Sequence, residues 1–166
     1  MEIWDIYDVN HNKTGKIIDR HIEYTQDGEY HLGVIVCILD KSKELLLQQR
    51  SFNKKTFPGK WSLTGGAVLS GETSKEGAIR EVQEELNIDL SNDTLFDVGY
   101  YIDRNAIIDV YVAQVEREKL SIKLQSDEVI NYNWFSLNEM NNYLIDNKIA
   151  QNAIKAIKMS LAYLEL

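Results

Sequence analysis

The stretch GGAVLSGETSKEGAIREVQEELNI, residues 65–88, gathers five glutamates and one arginine. Its pattern predicts a helix, and Glu81, Glu84 and Glu85 fall within little more than one turn of it, where like charges repel. At about 100° per residue the three occupy one sector roughly 100° wide, beside an apolar stripe of Ile79, Val82 and Leu86. Glu81 and Glu85 stand at i, i+4, so their Cβ atoms are about 5–6 Å apart and both carboxylates can reach one cation or a pair. Without a cation, full ionisation of such neighbours is disfavoured, and a divalent ion reverses that penalty. Oxygen donors with no histidine or cysteine cluster favour Mg²⁺ or Mn²⁺ over Zn²⁺. An ion of this kind can bridge phosphate oxygens and lower the pKa of a bound water. Arg80, four residues before Glu84, offsets part of the repulsion. A merely solvated acidic face is the competing reading of the same residues.

The elements around this segment must position it. Thr73 and Glu76 have the form of a capping box at the helix start, and Asn87 suits a left-handed C-cap. Upstream, HLGVIVCILD and ELLLQQR are runs of branched apolar residues that predict two strands at the sheet centre, buried on both faces. SFNKKTFPGKWSLTGG, with three lysines and a tryptophan, reads as a loop long enough to cover a site. IWDIYDV and KIIDRHIEY flank the turn-rich NHNKTG and predict an N-terminal β-hairpin over about residues 1–28, a small flanking ribbon. TLFDVGYYI, AIIDVYVAQV and VINYNWF predict further strands, with Gly99 a candidate bulge. Ser136 and Glu139 repeat the capping-box form before a short helix, and the apolar spacing from Ile149 to Leu164 predicts an amphipathic helix over about 147–164. Together these elements imply one α/β layered domain, 1–166, with a mixed sheet.

The totals restrict the partners. A net charge of −8 opposes nonspecific binding to nucleic acid or anionic lipid, so a phosphate substrate must be held by local positive charge or a metal. No apolar run approaches the roughly 20 residues of a membrane span, and the N-terminus lacks a basic n-region and an apolar h-region. A cytoplasmic setting without a membrane partner is expected. The single cysteine, Cys37, lies in VIVCIL and is expected to be a buried thiol.

The segment resembles the Nudix box, G-x5-E-x7-R-E-U-x-E-E-x-G-U, where U is a bulky aliphatic residue. Gly66, Glu72, Arg80, Glu81, Val82, Glu84, Glu85 and Ile88 fill it at the right spacing, and Asn87 stands where the box has its last glycine. Over roughly residues 30–140 the chain is similar to the branch related to isopentenyl diphosphate isomerase, through YHLGVIVCI, LLLQQRSFNKKTFPGKW, DEV and NWFSLNEM. The resemblance implies an α/β/α sandwich and hydrolysis of a small-molecule diphosphate, a nucleoside diphosphate derivative or similar organic pyrophosphate, with Mg²⁺ or Mn²⁺. By motif position it implies Glu81 and Glu85 as principal metal ligands, Glu84 as a further ligand or water-relay carboxylate, and the Gly65 carbonyl as a backbone ligand. Arg80 would orient the glutamates, with Glu72 as its partner. Beyond the box, Arg50 and Lys54 would grip the diphosphate, and Glu128 would be an extra metal ligand or catalytic acid. His31 matches a metal-binding histidine of the isomerases.

Trp61 offers a face on which a base could stack. Either Glu84 or Glu128 could be the base for attack by water. The isomerases use a cysteine near the loop before the box, and WSLTGGAVLSGE has neither that cysteine nor the histidine after it. Hydrolysis is therefore expected over isomerisation; a noncatalytic nucleotide-sensing domain is the third reading, and a homodimer is left open.

Overall fold

The computed structural model describes residues 2–91 and 94–166. Along the described chain run β1 (Ile3–Tyr7), β2 (Lys13–Asp19), β3 (Tyr30–Leu39), β4 (Leu45–Arg50), β5 (Trp61–Ser62), β6 (Thr64–Ala67) and α1 (Ser74–Leu86). They are followed by β7 (Leu95–Asp103), β8 (Ala106–Gln114), a 3₁₀ turn (Arg117–Lys119), β9 (Val129–Phe135), α2 (Leu137–Ile145) and α3 (Gln151–Tyr163).

The branched run HLGVIVCIL becomes the spine, and every residue from Leu32 to Leu39 is buried. Along one edge β3 pairs in parallel with β8, from His31 opposite Ala106 to Leu39 opposite Gln114. Its other edge pairs antiparallel with β1, β6 and β4 in turn. The strands thus form one mixed sheet. Because strand side chains alternate, Leu32, Val34, Val36 and Ile38 share a core with Ala78, Val82 and Leu86 of α1. Ile35, Cys37 and Leu39 share the opposite core with Met140 of α2 and Ala153, Ala156 and Ile157 of α3. One helix covers one face and two cover the other, which is the expected α/β/α sandwich.

Local details depart from the sequence reading in three places. The first turn closes at Asp8–Asn12, where Asp8 Oδ1 accepts the Asn10 and Asn12 amides at 2.9 Å each, so β2 begins at Lys13 and ends at Asp19. The long loop after Arg50 contains β5 and β6, two and four residues long, too short and glycine-rich to show a period of two. The C-terminal helix begins at Gln151; the residues before it bridge to β5, with Trp61 N donating to Lys148 O at 2.9 Å and Ala150 N donating to Trp61 O at 2.7 Å. Gly99 is a bulge as expected: register shifts between Asp97 and Gly99, whose φ of 117° a residue with a Cβ rarely adopts. Among the described residues no helix is long and apolar enough to cross a membrane.

Candidate active site

Helix α1 is fixed at both ends by its own sequence. Thr73 Oγ1 accepts the Glu76 amide, Glu76 Oε2 accepts the Thr73 amide, and Asn87 adopts φ 57°, ψ 34° at the C-cap. Its last carbonyls are satisfied by the segment that follows β8: Lys123 N donates to Leu86 O at 3.0 Å and Gln125 N to Glu85 O at 3.2 Å. Those bonds also fix the path that carries Glu128 to the same end of the sheet.

Arg80 organises the carboxylates around it. Its Nε donates to Glu72 Oε1 at 2.7 Å and its Nη2 to Glu72 Oε2 at 3.0 Å, a bidentate pair. Nη1 donates to Glu81 Oε1 at 2.8 Å and reaches Glu84 Oε2 at 3.3 Å, while Nη2 also donates to Ala67 O at 2.8 Å. Arg80 and Glu72 are thus paired in the structure. Burial works against the Glu72 charge, but Arg80 and the Leu69 amide outweigh it and hold its pKa below the usual carboxylate range.

Glu85 differs from these neighbours. Only 5% exposed, it receives Gln48 Nε2 at 2.7 Å and the Gly65 amide at 3.3 Å on Oε2, with no cation beside it among the described residues. Burial pushes its pKa up to about 8, with the charges of Glu81 and Glu128 adding to the rise. Burial also raises Glu81, against the pull of Arg80. Gln48 was missed from sequence. The signal was present, since two glutamines end the apolar run LLLQQR, and Gln48 is buried to 2% exposure with Thr64 Oγ1 donating to its Oε1 at 3.2 Å. Gly66 makes room for the neighbouring acid: a Cβ there would lie 2.5 Å from Glu81 Oε1.

A cleft of about 760 Å³ takes in Arg50, Lys54, Gly65, Arg80, Glu81, Glu84, Glu85 and Glu128. Trp61 lies outside it. Held by its bonds to residues 148 and 150, Trp61 packs edge-on to Phe135 and Tyr143, with centroids at 5.1 and 6.1 Å, so its ring belongs to the core under α2 and not to a base-stacking platform in the cleft. Lys54 and Glu128 form an ion pair across the cleft mouth. Arg50 Nε donates to Thr56 O at 3.0 Å and Nη2 to Thr56 Oγ1 at 3.2 Å. The N-terminal ribbon does more than flank the sheet. Its Glu2, Trp4 and Arg20 line the cleft beside His31 of β3, with Trp4 stacked on His31 at 4.2 Å. Among the described residues the buried His31 Nδ1 has no hydrogen-bond partner, and burial lowers the ring's pKa toward the neutral form.

A divalent cation suits this donor set. The oxygens are all hard, Glu85 carries a buried acid without a cation, and the place of a Cβ on Gly66 is filled by Glu81. Among the described residues no three acidic, histidine or cysteine side chains converge as a closed cage. Arg80 draws Glu81 and Glu84 one way and Gln48 draws Glu85 the other. Water and substrate oxygens would therefore complete the coordination, which is the ordinary habit of Mg²⁺.

Comparison with known proteins decides the family. The profile of the NUDIX domain matches residues 29–157. An uncharacterized Nudix hydrolase of Listeria monocytogenes is 36% identical over 143 residues, 84% of this chain and 83% of the relative. The chain belongs to the Nudix family. An isopentenyl-diphosphate Delta-isomerase of Citrobacter koseri is 30% identical over 130 residues, covering 73% of this Nudix chain and 70% of the isomerase. In fold, a solved protein of Deinococcus radiodurans superposes with a TM-score of 0.77 at 20% identity, covering 95% of this chain and 99% of the other. Both the Nudix assignment and the kinship with the isomerase branch thus agree with the box and its flanks, and the family relationship makes this a Nudix pyrophosphohydrolase.

Proposed function

We propose that this Nudix protein hydrolyses the diphosphate linkage of a nucleoside diphosphate derivative or a similar organic pyrophosphate, with Mg²⁺ or Mn²⁺, in the cytoplasm. The observation that carries the reading is Glu85: a carboxyl group buried to 5% exposure at the cleft floor, four residues from Glu81, with no cation beside it among the described residues. Glu81, Glu85, Glu84 and the Gly65 carbonyl are the groups proposed to hold the metal, with Glu128 joining when Lys54 releases it. When bound, the ion would neutralise charge on the phosphate oxygens and make a bound water more acidic.

The chain's own groups do the rest. Arg80 keeps Glu81 and Glu84 turned toward the cleft. Arg50 and Lys54 supply positive charge where a diphosphate would enter beside the glutamates. Glu84 is the better candidate for general base, because half of its side chain is exposed and its ion pair with Arg80 is long at 3.3 Å. Glu128 is already committed to Lys54.

Isomerisation is disfavoured on chemistry. Moving a carbon-bound proton needs an acid and a base at the carbon, and the chain's one thiol, Cys37, is fully buried in the core shared with α3, with its pKa pushed up to about 12 by burial. The test is a product screen by anion-exchange chromatography, reading the phosphate-bearing fragments formed with Mg²⁺ and Mn²⁺ from nucleoside diphosphate sugars, dinucleoside polyphosphates, nucleoside di- and triphosphates and prenyl diphosphates. Glu81→Gln and Glu85→Gln should each lower kcat/KM by about 100-fold or more while circular dichroism is unchanged. Full activity in both variants would end the assignment.

A further inference from the structure

A second cavity of about 670 Å³ opens beside the cleft. Thr56 and Asn152 line both spaces and form the sill between them. The sill is well fastened: Thr56 accepts two hydrogen bonds from Arg50, and the Asn152 carbonyl accepts the Tyr101 hydroxyl at 2.8 Å. Beyond the sill the walls include Tyr101, Ile102, Arg104 and Lys155.

Two features of that space bear on what it could hold. The protein carries 26 acidic and 18 basic residues, yet neither Arg104 nor Lys155 forms an ion pair among the described residues, and Asp103 is the one carboxylate on the same walls. Lys155 instead sits over the Tyr101 ring, 4.7 Å from its centroid, so that aromatic face is already covered and does not serve as a stacking surface. In addition, Asn152 Oδ1 is buried with no hydrogen-bond donor among the described residues. A buried amide oxygen of this kind is satisfied by a hydroxyl or amino group.

Given the pyrophosphatase reading above, we infer that this cavity seats the group esterified to the diphosphate, and that this group bears hydroxyls and ends in a further phosphate. The terminal phosphate meets Arg104 and Lys155, and a hydroxyl meets Asn152 Oδ1. A prenyl tail would leave both cations facing hydrocarbon and the amide oxygen still without a donor.

Three probes separate the sources of that phosphate: ADP-ribose, its 2′-phosphate on the nucleoside side and its 1″-phosphate on the sugar side. Titration calorimetry on the whole chain, with Ca²⁺ in place of Mg²⁺ to slow turnover, should show at least one phosphorylated form binding about 10-fold tighter than ADP-ribose. Arg104→Ala and Lys155→Ala should each remove most of that advantage and leave ADP-ribose affinity unchanged. Equal affinity for all three probes, or substitutions that weaken all three alike, would overturn the inference. Should the preference hold while Mg²⁺ supports no hydrolysis of any probe, the cavity assignment stands and the hydrolase reading falls.

Discussion

Helices α1 and α3 are each 13 residues long and pack on opposite faces of β3, yet they are built on different terms. α3 buries Ala153, Ala156, Ile157 and Ser160, and its N-cap residue, Ala150, makes no side-chain capping bond. α1 buries Gly77, Ala78, Val82 and Leu86 together with a carboxylate, Glu85, and is closed by a capping box at one end and a left-handed asparagine at the other. Packing alone suffices where the contact is apolar. Where the helix must hold an acid against desolvation, the local sequence fixes its ends and Gln48 fixes the acid. The stability of α3 and the chemistry of α1 should therefore fail separately.

The largest expected separation comes from one substitution on each side. In Gly66→Ala the new Cβ would lie 2.5 Å from Glu81 Oε1, so the carboxylate must swing away from Arg80 and from the metal position proposed for it. Turnover should drop by about 100-fold, with the urea midpoint nearly unchanged. Ile157→Ala, at a site only 1% exposed, should do the reverse. It should destabilise the fold by about 2–5 kcal/mol and leave kcat near wild type while the protein is folded. If the glycine variant unfolds, or the isoleucine variant loses activity while folded, the division of labour is wrong.

A second contrast is in pH. The Glu85 carboxyl, ordinarily near 4.5, is raised to about 8 by burial, so the metal-free fold binds a proton that the unfolded chain releases between those values. Stability of the metal-free protein should therefore be greatest below about pH 4.5 as far as Glu85 is concerned, fall as pH rises toward about 8, and level off above it. Mg²⁺ should restore stability most at the alkaline end, since it binds the ionised fold. Glu72 has the opposite sign: its lowered pKa stabilises the fold above the unfolded value and is lost as acid protonates it. Urea midpoints measured with and without Mg²⁺ at about pH 5.5 and about pH 8 would separate the two. Glu85→Gln should flatten the alkaline decline, whereas Ile157→Ala should lower the midpoint equally at both pH values. A metal-free protein equally stable at the two pH values would mean that Glu85 is not protonated in the fold.

The same contrast explains what could be read from the sequence. The α1 side was legible because its information is local: the capping box and the carboxylate spacing lie within one short stretch, and the Arg80 and Glu72 pairing was implied by the resemblance of that same stretch to the Nudix box. Both helix caps and the Gly99 bulge also followed from residue type. What was illegible depended on contacts distant in sequence. Gln48 supports Glu85 across 37 positions, and the Trp4 and His31 stack requires the hairpin to fold over the cleft. Trp61 gave the wrong impression because an aromatic in a lysine-rich loop looks available; the pairing of β5 with β4 and with residues 148–150 turns it inward. β5 and β6 escaped because strands this short carry no periodicity of their own and are defined by β4 and β3.

The smallest effect tests whether the α1 caps are more than decoration. Thr73 is exposed, and its hydroxyl accepts the Glu76 amide at 3.3 Å, while Glu76 Oε2 accepts the Thr73 amide at 2.8 Å. Thr73→Ala removes one half of that exchange and should lower stability by about 1 kcal/mol, a shift readable as a lower urea midpoint at unchanged slope. Since Glu81, Glu84 and Glu85 lie two to three turns further on and are held by Arg80 and Gln48, kcat should change less than about twofold. A loss of activity larger than the loss of stability would mean that fraying at the first turn reaches the carboxylates, and that the capping box sets the geometry of the site as well as the end of the helix. An unchanged midpoint would mean that α1, like α3, is held by packing alone, and the contrast between the two faces would then reduce to the buried charge of Glu85.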